Sequence, residues 1–206
     1  MARAALVAVV LLATLAGTAR AGDVRRHIVS NAGLAISMPV GWQVLAQRDA
    51  VFPGARQLLT RLEPSFALPL AELGVPDSPL KLFAFDRSFS RGHPTTILVV
   101  QSTYRRPGAY DRWAPRLEHA FAGRHATFEH VDLPAGDALR ATYRNAVGET
   151  LVTYVVGGRT GLWAVMLRTP NARAARDERL LYRSAWSLEL RAPVGGPYVG
   201  PQTPGS

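Results

Sequence analysis

The alternation of apolar and polar residues along the chain predicts most of its secondary structure. His27 to Ser30 reads as one early strand, and Leu34, Ile36 and Met38 as a second whose period of two presents one apolar face. Pro39-Val40-Gly41 then turns the chain into a third alternation, Trp42, Val44 and Ala46. Ala55 to Leu62 predicts a short helix that Pro64 stops. The four prolines from Pro64 to Pro79 predict an irregular stretch with a single helical turn at Ala71 to Leu73, of a length that is often functional.

Leu80 to Phe85 and Thr96 to Gln101 are apolar on both alternations, the pattern of central strands covered on both faces. Ser90-Arg91-Gly92-His93-Pro94 between them has the composition of a turn. After Pro107-Gly108, the residues Tyr110, Trp113, Ala114, Leu117, Ala120 and Phe121 fall within an arc of about 120° at helical spacing, which predicts a long amphipathic helix. Pro115 lies on its polar side, near enough to the start to be tolerated.

Four strands are predicted next, at Thr127 to Leu133, Asp137 to Tyr143, Thr150 to Val156 and Leu162 to Arg168. Their connectors are short and carry glycine, so the strands should form an antiparallel meander. In the second, Leu139, Ala141 and Tyr143 are expected to face the core, and Arg140, Thr142 and Arg144 to face away. Thr169-Pro170 supplies a capping residue and a proline at the first helical position, predicting a helix from Pro170 to about Ala185 and a last strand from Trp186 to Leu190. Glu178 intrudes among Ala174, Leu181 and Ala185, and is expected at the margin of the apolar arc or paired with an arginine. This order predicts an α+β fold, a mainly antiparallel sheet covered by helices.

The two ends read differently. Residues 1–21, MARAALVAVVLLATLAGTARA, have a short basic start, an apolar run and a small-x-small ending at Ala19-Arg20-Ala21, the pattern of a secretory signal peptide. Its removal would take away Arg3 and Arg20 and no acid, lowering the formal charge from +9 to +7. No later apolar run is long enough to cross a bilayer, so the mature chain is expected to be secreted, extracytoplasmic or periplasmic. Residues 192–206, APVGGPYVGPQTPGS, are rich in glycine and proline and carry no charge, and are expected to form a disordered tail. One domain, residues 23–191, remains between them. The absence of cysteine excludes a disulfide framework, a cysteine nucleophile and a thiolate metal site, and leaves the hydrophobic core to hold the fold.

The segment GLAISMPVGWQVL, Gly33 to Leu45, with its strand ending in Pro-x-Gly-Trp, resembles the opening of the PsbP-like (Mog/PsbP) superfamily. A helix before antiparallel strands, the strand GLWAVMLRT from Gly161 to Thr169, a further helix and the closing SAWSLEL, Ser184 to Leu190, are similar to that family's later course. The resemblance spans about Ile28 to Leu190. It implies an α/β/α sandwich around an antiparallel sheet, and binding or accessory work such as that of an extrinsic photosystem subunit or a regulator of a nuclear GTPase. It carries over no catalytic residues, and the chain lacks the cysteine of the family's lipoprotein members.

None of the familiar catalytic or phosphate-binding motifs is present, so no enzyme activity and no cofactor is expected. His119, His125 and His130 fit no standard zinc spacing, and Arg124 beside His125 opposes a cation, so no metal site is expected. Arg140 and Arg144, on one strand face with Thr142 between them, are the candidate binding residues for an anionic sugar, a lipid headgroup or an acidic protein surface. Arg173, Arg176, Arg179 and Arg183 make a second basic stripe on the last helix, which Asp177 and Glu178 are expected to neutralise by salt bridges. No aromatic residues are interleaved with these arginines as a nucleic-acid stacking platform requires, and Trp42, Trp113, Trp163 and Trp186 all fit core positions. The expected function is a secreted, non-enzymatic binding or accessory protein of the cell envelope, its partner an envelope protein or anionic component. The alternatives are a small-ligand carrier with its pocket near residues 64–79, and an envelope hydrolase.

Overall fold

The computed structural model describes residues 24–29, 32–47, 53–75, 77–89, 92, 94–102, 109–121, 126–158 and 161–190. The expected signal peptide and the Gly/Pro tail lie outside these residues, as does His125.

The described residues form two antiparallel sheets. The smaller has the order β1-β2-β10, with β1 at Val24–Val29, β2 at Leu34–Pro39 and β10 at Glu189–Leu190. The larger has seven strands: β3 (Trp42–Ala46), β4 (Leu80–Asp86), β5 (Thr96–Gln101), β6 (Ala126–Leu133), β7 (Gly136–Arg144), β8 (Glu149–Gly158) and β9 (Gly161–Pro170). Their order across the sheet is β3-β4-β5-β9-β8-β7-β6, so the expected meander is its second half and β5 joins the two halves by pairing with β9. Among the described residues four α-helices accompany them: α1 (Pro53–Leu62), α2 (Ala67–Leu73), α3 (Ala109–Phe121) and α4 (Ala174–Trp186). The α+β class expected from the order of elements is the one observed.

Register assigns the two faces, because residues directly opposite across a strand pair share a face. The row Val99, Val165, Tyr154, Arg140 and Glu129 crosses from β5 to β6. Its apolar members join Leu34, Ile36 and Met38 of β2 and Leu181 and Ala185 of α4 in the main core. On the opposite face Phe83 and Phe85 pack with Phe66, Leu70 and Leu73, and Val100, Ala164 and Val155 lie beneath Trp113 and Leu117 of α3.

The proline-bearing stretch after Pro64 departs from its expectation. Pro64–Phe66 is a 3-10 turn that leads directly into α2. Pro64 occupies the first position of that turn, where it costs no hydrogen bond. Burial of Phe66, Leu70 and Leu73 against two sheet phenylalanines drives the ordering, with the Phe66 and Phe83 rings edge-on at 5.2 Å. Phe66, Leu70 and Leu73 of this stretch are buried in that cluster.

The last third also differs in detail. Thr169 and Pro170 end β9, and Asn171–Arg173 make a 3-10 turn before α4 begins. Thr169 does not cap the helix: its hydroxyl donates to Asp177 Oδ2 at 2.6 Å. The final strand is only Glu189–Leu190, because α4 continues through Trp186.

Candidate binding surface on α4 and β7

The helix α4 is pinned at both ends, which fixes the direction of its outer face. At its start Asp177, fully buried, accepts from the hydroxyls of Thr95 and Thr169 and from Arg176 Nε. Arg173 joins this knot by donating to Asp86 Oδ2 at 2.5 Å, while its Nε lies 3.3 Å from Asp177 in an electrostatic contact without hydrogen-bond geometry. Burial acts to raise the pKa of Asp86, but Arg173 and the hydroxyl and N–H of Ser88 outweigh it and hold the carboxyl below its ordinary value. At the other end the Ser187 hydroxyl donates to Ser184 O and accepts from Ser37 N, tying the helix to β2.

With Ala174, Asp177, Leu181, Ser184 and Ala185 buried, helical spacing turns the remaining positions outward. Ala175, Arg176, Arg179, Tyr182, Arg183 and Trp186 are all exposed and include no acid. Trp186 is 49% and Tyr182 42% exposed. Their rings lie 5.8 Å apart, and Tyr182 also stands 6.4 Å from the buried Tyr154 ring. Burial pushes the Tyr154 hydroxyl pKa up, against the lowering effect of the nearby Arg140. Trp186 thus leaves the core, contrary to its expected place, because it is the last residue of the helix, not the first of a strand, and falls on the helix's outer side.

Arg140, Thr142 and Arg144 share the face of β7 beside α4. Arg140 does not face open solvent: it donates to Glu129 Oε2 at 3.0 Å and to Glu178 Oε2 at 3.1 Å. Glu178 is therefore paired with an arginine, as its place in the apolar arc required. Thr142 Oγ1, between the two arginines, is buried without a hydrogen-bond partner. Arg144 is exposed, and among the described residues neither it, Arg179 nor Arg183 has a carboxylate within 4 Å. The other half of the expected stripe, Arg173 and Arg176, is spent on Asp86 and Asp177. Tyr143 was expected inside and is exposed, while Ala138, on the same strand face as Arg140, enters the main core.

The opposite face carries a different constellation. His130 Nδ1 lies 2.9 Å from the Tyr110 hydroxyl and its Nε2 lies 3.0 Å from Glu118 Oε1, so the ring clasps α3 to β6. Tyr110 has its pKa raised by burial and then by the carboxylates of Asp137, Glu118, Asp111 and Asp132. His119 is exposed, and among the described residues no three potential ligands gather into a metal cluster. Two clefts flank α3: one of about 160 Å³ between Tyr110, Asp111, Asp137 and Gly157, and an apolar one of about 280 Å³ lined by Trp113, Leu117, Val155 and Leu162.

Sequence periodicity brought Arg140 and Arg144 to one face correctly. It missed Tyr182 and Trp186, whose spacing of four on a helix rich in arginine was the available signal.

No protein-family model matches the sequence, and no curated protein matches it. Among solved structures, the chain is similar to the solution structure of cyanobacterial PsbP (CyanoP) from Synechocystis, at 16% identity and a TM-score of 0.46, over 85% of this chain and 95% of that one. It is also similar to a crystal structure from Bacteroides thetaiotaomicron, at 10% identity and a TM-score of 0.47, over 82% of this chain and 48% of that one.

Proposed function

We propose that this protein is an exported, non-enzymatic accessory domain that docks onto an anionic component of the cell envelope through the outer face of α4 and the adjoining end of β7. The observation that carries this reading is the composition of that face: exposed Arg179, Arg183, Tyr182 and Trp186 on a helix held rigidly at both ends, with no carboxylate among its outward residues, and exposed Arg144 on the β7 face that α4 adjoins. Arginine forks suit carboxylate and phosphate groups, and exposed aromatic rings contribute contact area at low entropic cost. Arg140 serves the surface indirectly, by holding Glu178 away from the outward cations.

In this reading residues 1–21 direct export and residues 192–206 trail from the folded domain. The mature charge of +7 supplies long-range attraction to an anionic partner, and that attraction weakens as salt screens it.

The test is co-sedimentation of the purified protein with envelope fragments from its source, at low and at high salt. Wild type is expected in the pellet at low salt and released at high salt, and the Arg144→Glu, Arg179→Glu, Arg183→Glu variant in the supernatant at both. Equal sedimentation of the two proteins contradicts the reading.

A small-ligand carrier is the second reading, favoured by the apolar cleft beneath α3. Its volume of about 280 Å³ falls just under the range of about 300–1,000 Å³ usual for ligand pockets. Saturable quenching of Trp113 fluorescence by an apolar probe such as a naphthalene sulfonate, lost in Leu117→Asp, would favour it.

A further inference from the structure

The open edge of β1 has the backbone and side-chain chemistry to accept an extended segment of another protein. Strand β1 is outermost in the small sheet, pairing with β2 alone among the described residues. Which of its backbone groups point outward follows from β2. Ser37 N–H donates to Ser187 Oγ, so Ser37 turns its backbone away from β1. In an antiparallel pair, opposite residues either both face each other or both face away. Ser37 is opposite Arg26, so Arg26 and its same-parity neighbours Val24 and Ile28 turn their N–H and C=O groups outward, while Arg25, His27 and Val29 hold the ladder to β2.

The side chains at this edge are unlike those of the other open edges. Ile28 is 65% and Val24 45% exposed, two large apolar groups in a six-residue strand. At the ends of the large sheet, β6 exposes Thr127, Glu129, His130 and Asp132, and every residue of β3 is half-buried, so neither presents exposed large apolar side chains. Exposed apolar residues on an open edge are a pairing hazard that proteins normally remove. Here two arginines sit among them. Arg26 is paired with Glu189 at 2.6 Å, and Arg25 is exposed with no carboxylate within 4 Å among the described residues. Antiparallel pairing of β1 with the β1 of a second copy, centred on Arg25 or Arg26, would set arginine against arginine, which is unfavourable between directly opposed residues. An extended segment that alternates acidic and apolar residues meets both features.

We propose that β1 is a strand-addition site for an extended acidic segment of a partner protein, with carboxylates beside Arg25 and apolar residues beside Val24 and Ile28. This site is on the small sheet and does not depend on the α4 surface.

The test uses two blocked seven-residue peptides, one alternating glutamate and valine and the other lysine and valine, titrated into the purified protein by fluorescence anisotropy with amide hydrogen exchange as a second readout. The glutamate peptide is expected to bind and to slow exchange at Arg26 and Ile28, and the lysine peptide to bind at least ten-fold more weakly. Ile28→Pro removes one outward N–H without touching the ladder to β2, and is expected to weaken the glutamate peptide at least ten-fold, whereas Ile28→Thr retains most of the affinity. Should Ile28→Pro fail to fold, the same peptide with N-methylated valines, which cannot complete the ladder, is expected to lose binding to the wild type. No binding of the glutamate peptide, equal binding of the lysine or N-methylated peptide, or concentration-dependent dimerisation that Ile28→Pro abolishes overturns the proposal.

Discussion

Arg140 on β7 and Glu178 on α4 are joined by a 3.1 Å ion pair between side chains that are each 26% exposed. This contact couples the outer helix to the sheet, and it turns an arginine that looked like part of an anion-binding row into a structural clasp. Because Glu129 also binds Arg140, Arg140→Ala leaves two carboxylates without their cation. We expect it to lower unfolding stability by about 1 kcal/mol, as for a partly screened pair. Arg144→Ala is expected to leave the denaturation midpoint unchanged, since among the described residues that side chain meets no carboxylate. Chemical denaturation of the two variants side by side checks the difference, and equal losses would contradict it.

The knot around Asp177 should be far more sensitive. Its carboxylate satisfies Thr95, Thr169 and Arg176 at zero exposure. Asp177→Ala removes the common acceptor of the Thr95 and Thr169 hydroxyls and of Arg176 Nε, and we expect a loss of about 3–5 kcal/mol, the cost of breaking a buried charge network from one side. Asp177→Asn keeps the shape and should lose less. Urea midpoints of the two variants decide this, and a loss below about 1 kcal/mol for the alanine variant would mean that the knot is dispensable.

Gly157 lets α3 rest directly on the sheet. A Cβ there would lie 2.7 Å from Tyr110 Cβ and 3.2 Å from its Cγ. Gly157→Ala should therefore displace Tyr110, costing about 1–3 kcal/mol as overpacking does. It should also break the hydrogen bond between Tyr110 and His130, seen as a shift of the His130 ring signals by NMR. An unshifted ring in a stable variant would contradict this account of the seat of α3.

Acid should act through Asp86 and Glu63. Burial tends to raise both pKa values, yet hydrogen bonds prevail: Arg173 and Ser88 for Asp86, and the Ser65 hydroxyl with the Gly92 and Ser65 amides for Glu63. Both carboxyls thus titrate below their ordinary values in the folded chain. The unfolded chain then takes up protons first as the pH falls, so the stability these groups contribute is complete above about pH 5 and is lost on descent through the lowered values. Ser88→Ala removes one source of the lowering and should flatten this decline. Denaturation midpoints between pH 3 and 7 test it, and a Ser88→Ala curve parallel to wild type would contradict it.

Much of this molecule was legible in its residues. The meander from β6 to β9, the buried strands β4 and β5, and α3 follow from strong periodicity and glycine-bearing turns, signals that tertiary packing reinforces. The region after Pro64 was misread because four prolines suggested a loop, while the apolar spacing of Phe66, Leu70 and Leu73 decided for a helix on the Phe83 and Phe85 face. The place of Trp186 was missed for a related reason: it looks like a core residue by type, while its helical spacing from Tyr182 turns it outward. Arg140 and Arg144 have the same spacing signal, and nothing local distinguishes them. What separates them is Glu178, a residue of another element brought beside one arginine and not the other.

Photo-cross-linking in intact cells shows which face of the protein meets the partner. A benzophenone amino acid at position 182 is expected to capture an envelope component, while the same group at Leu68 on α2, which is 70% exposed, captures none. Capture should disappear when Arg144, Arg179 and Arg183 are changed to glutamate. Cross-linking from position 68 and not from 182, or capture at 182 that survives the three substitutions, would contradict the account.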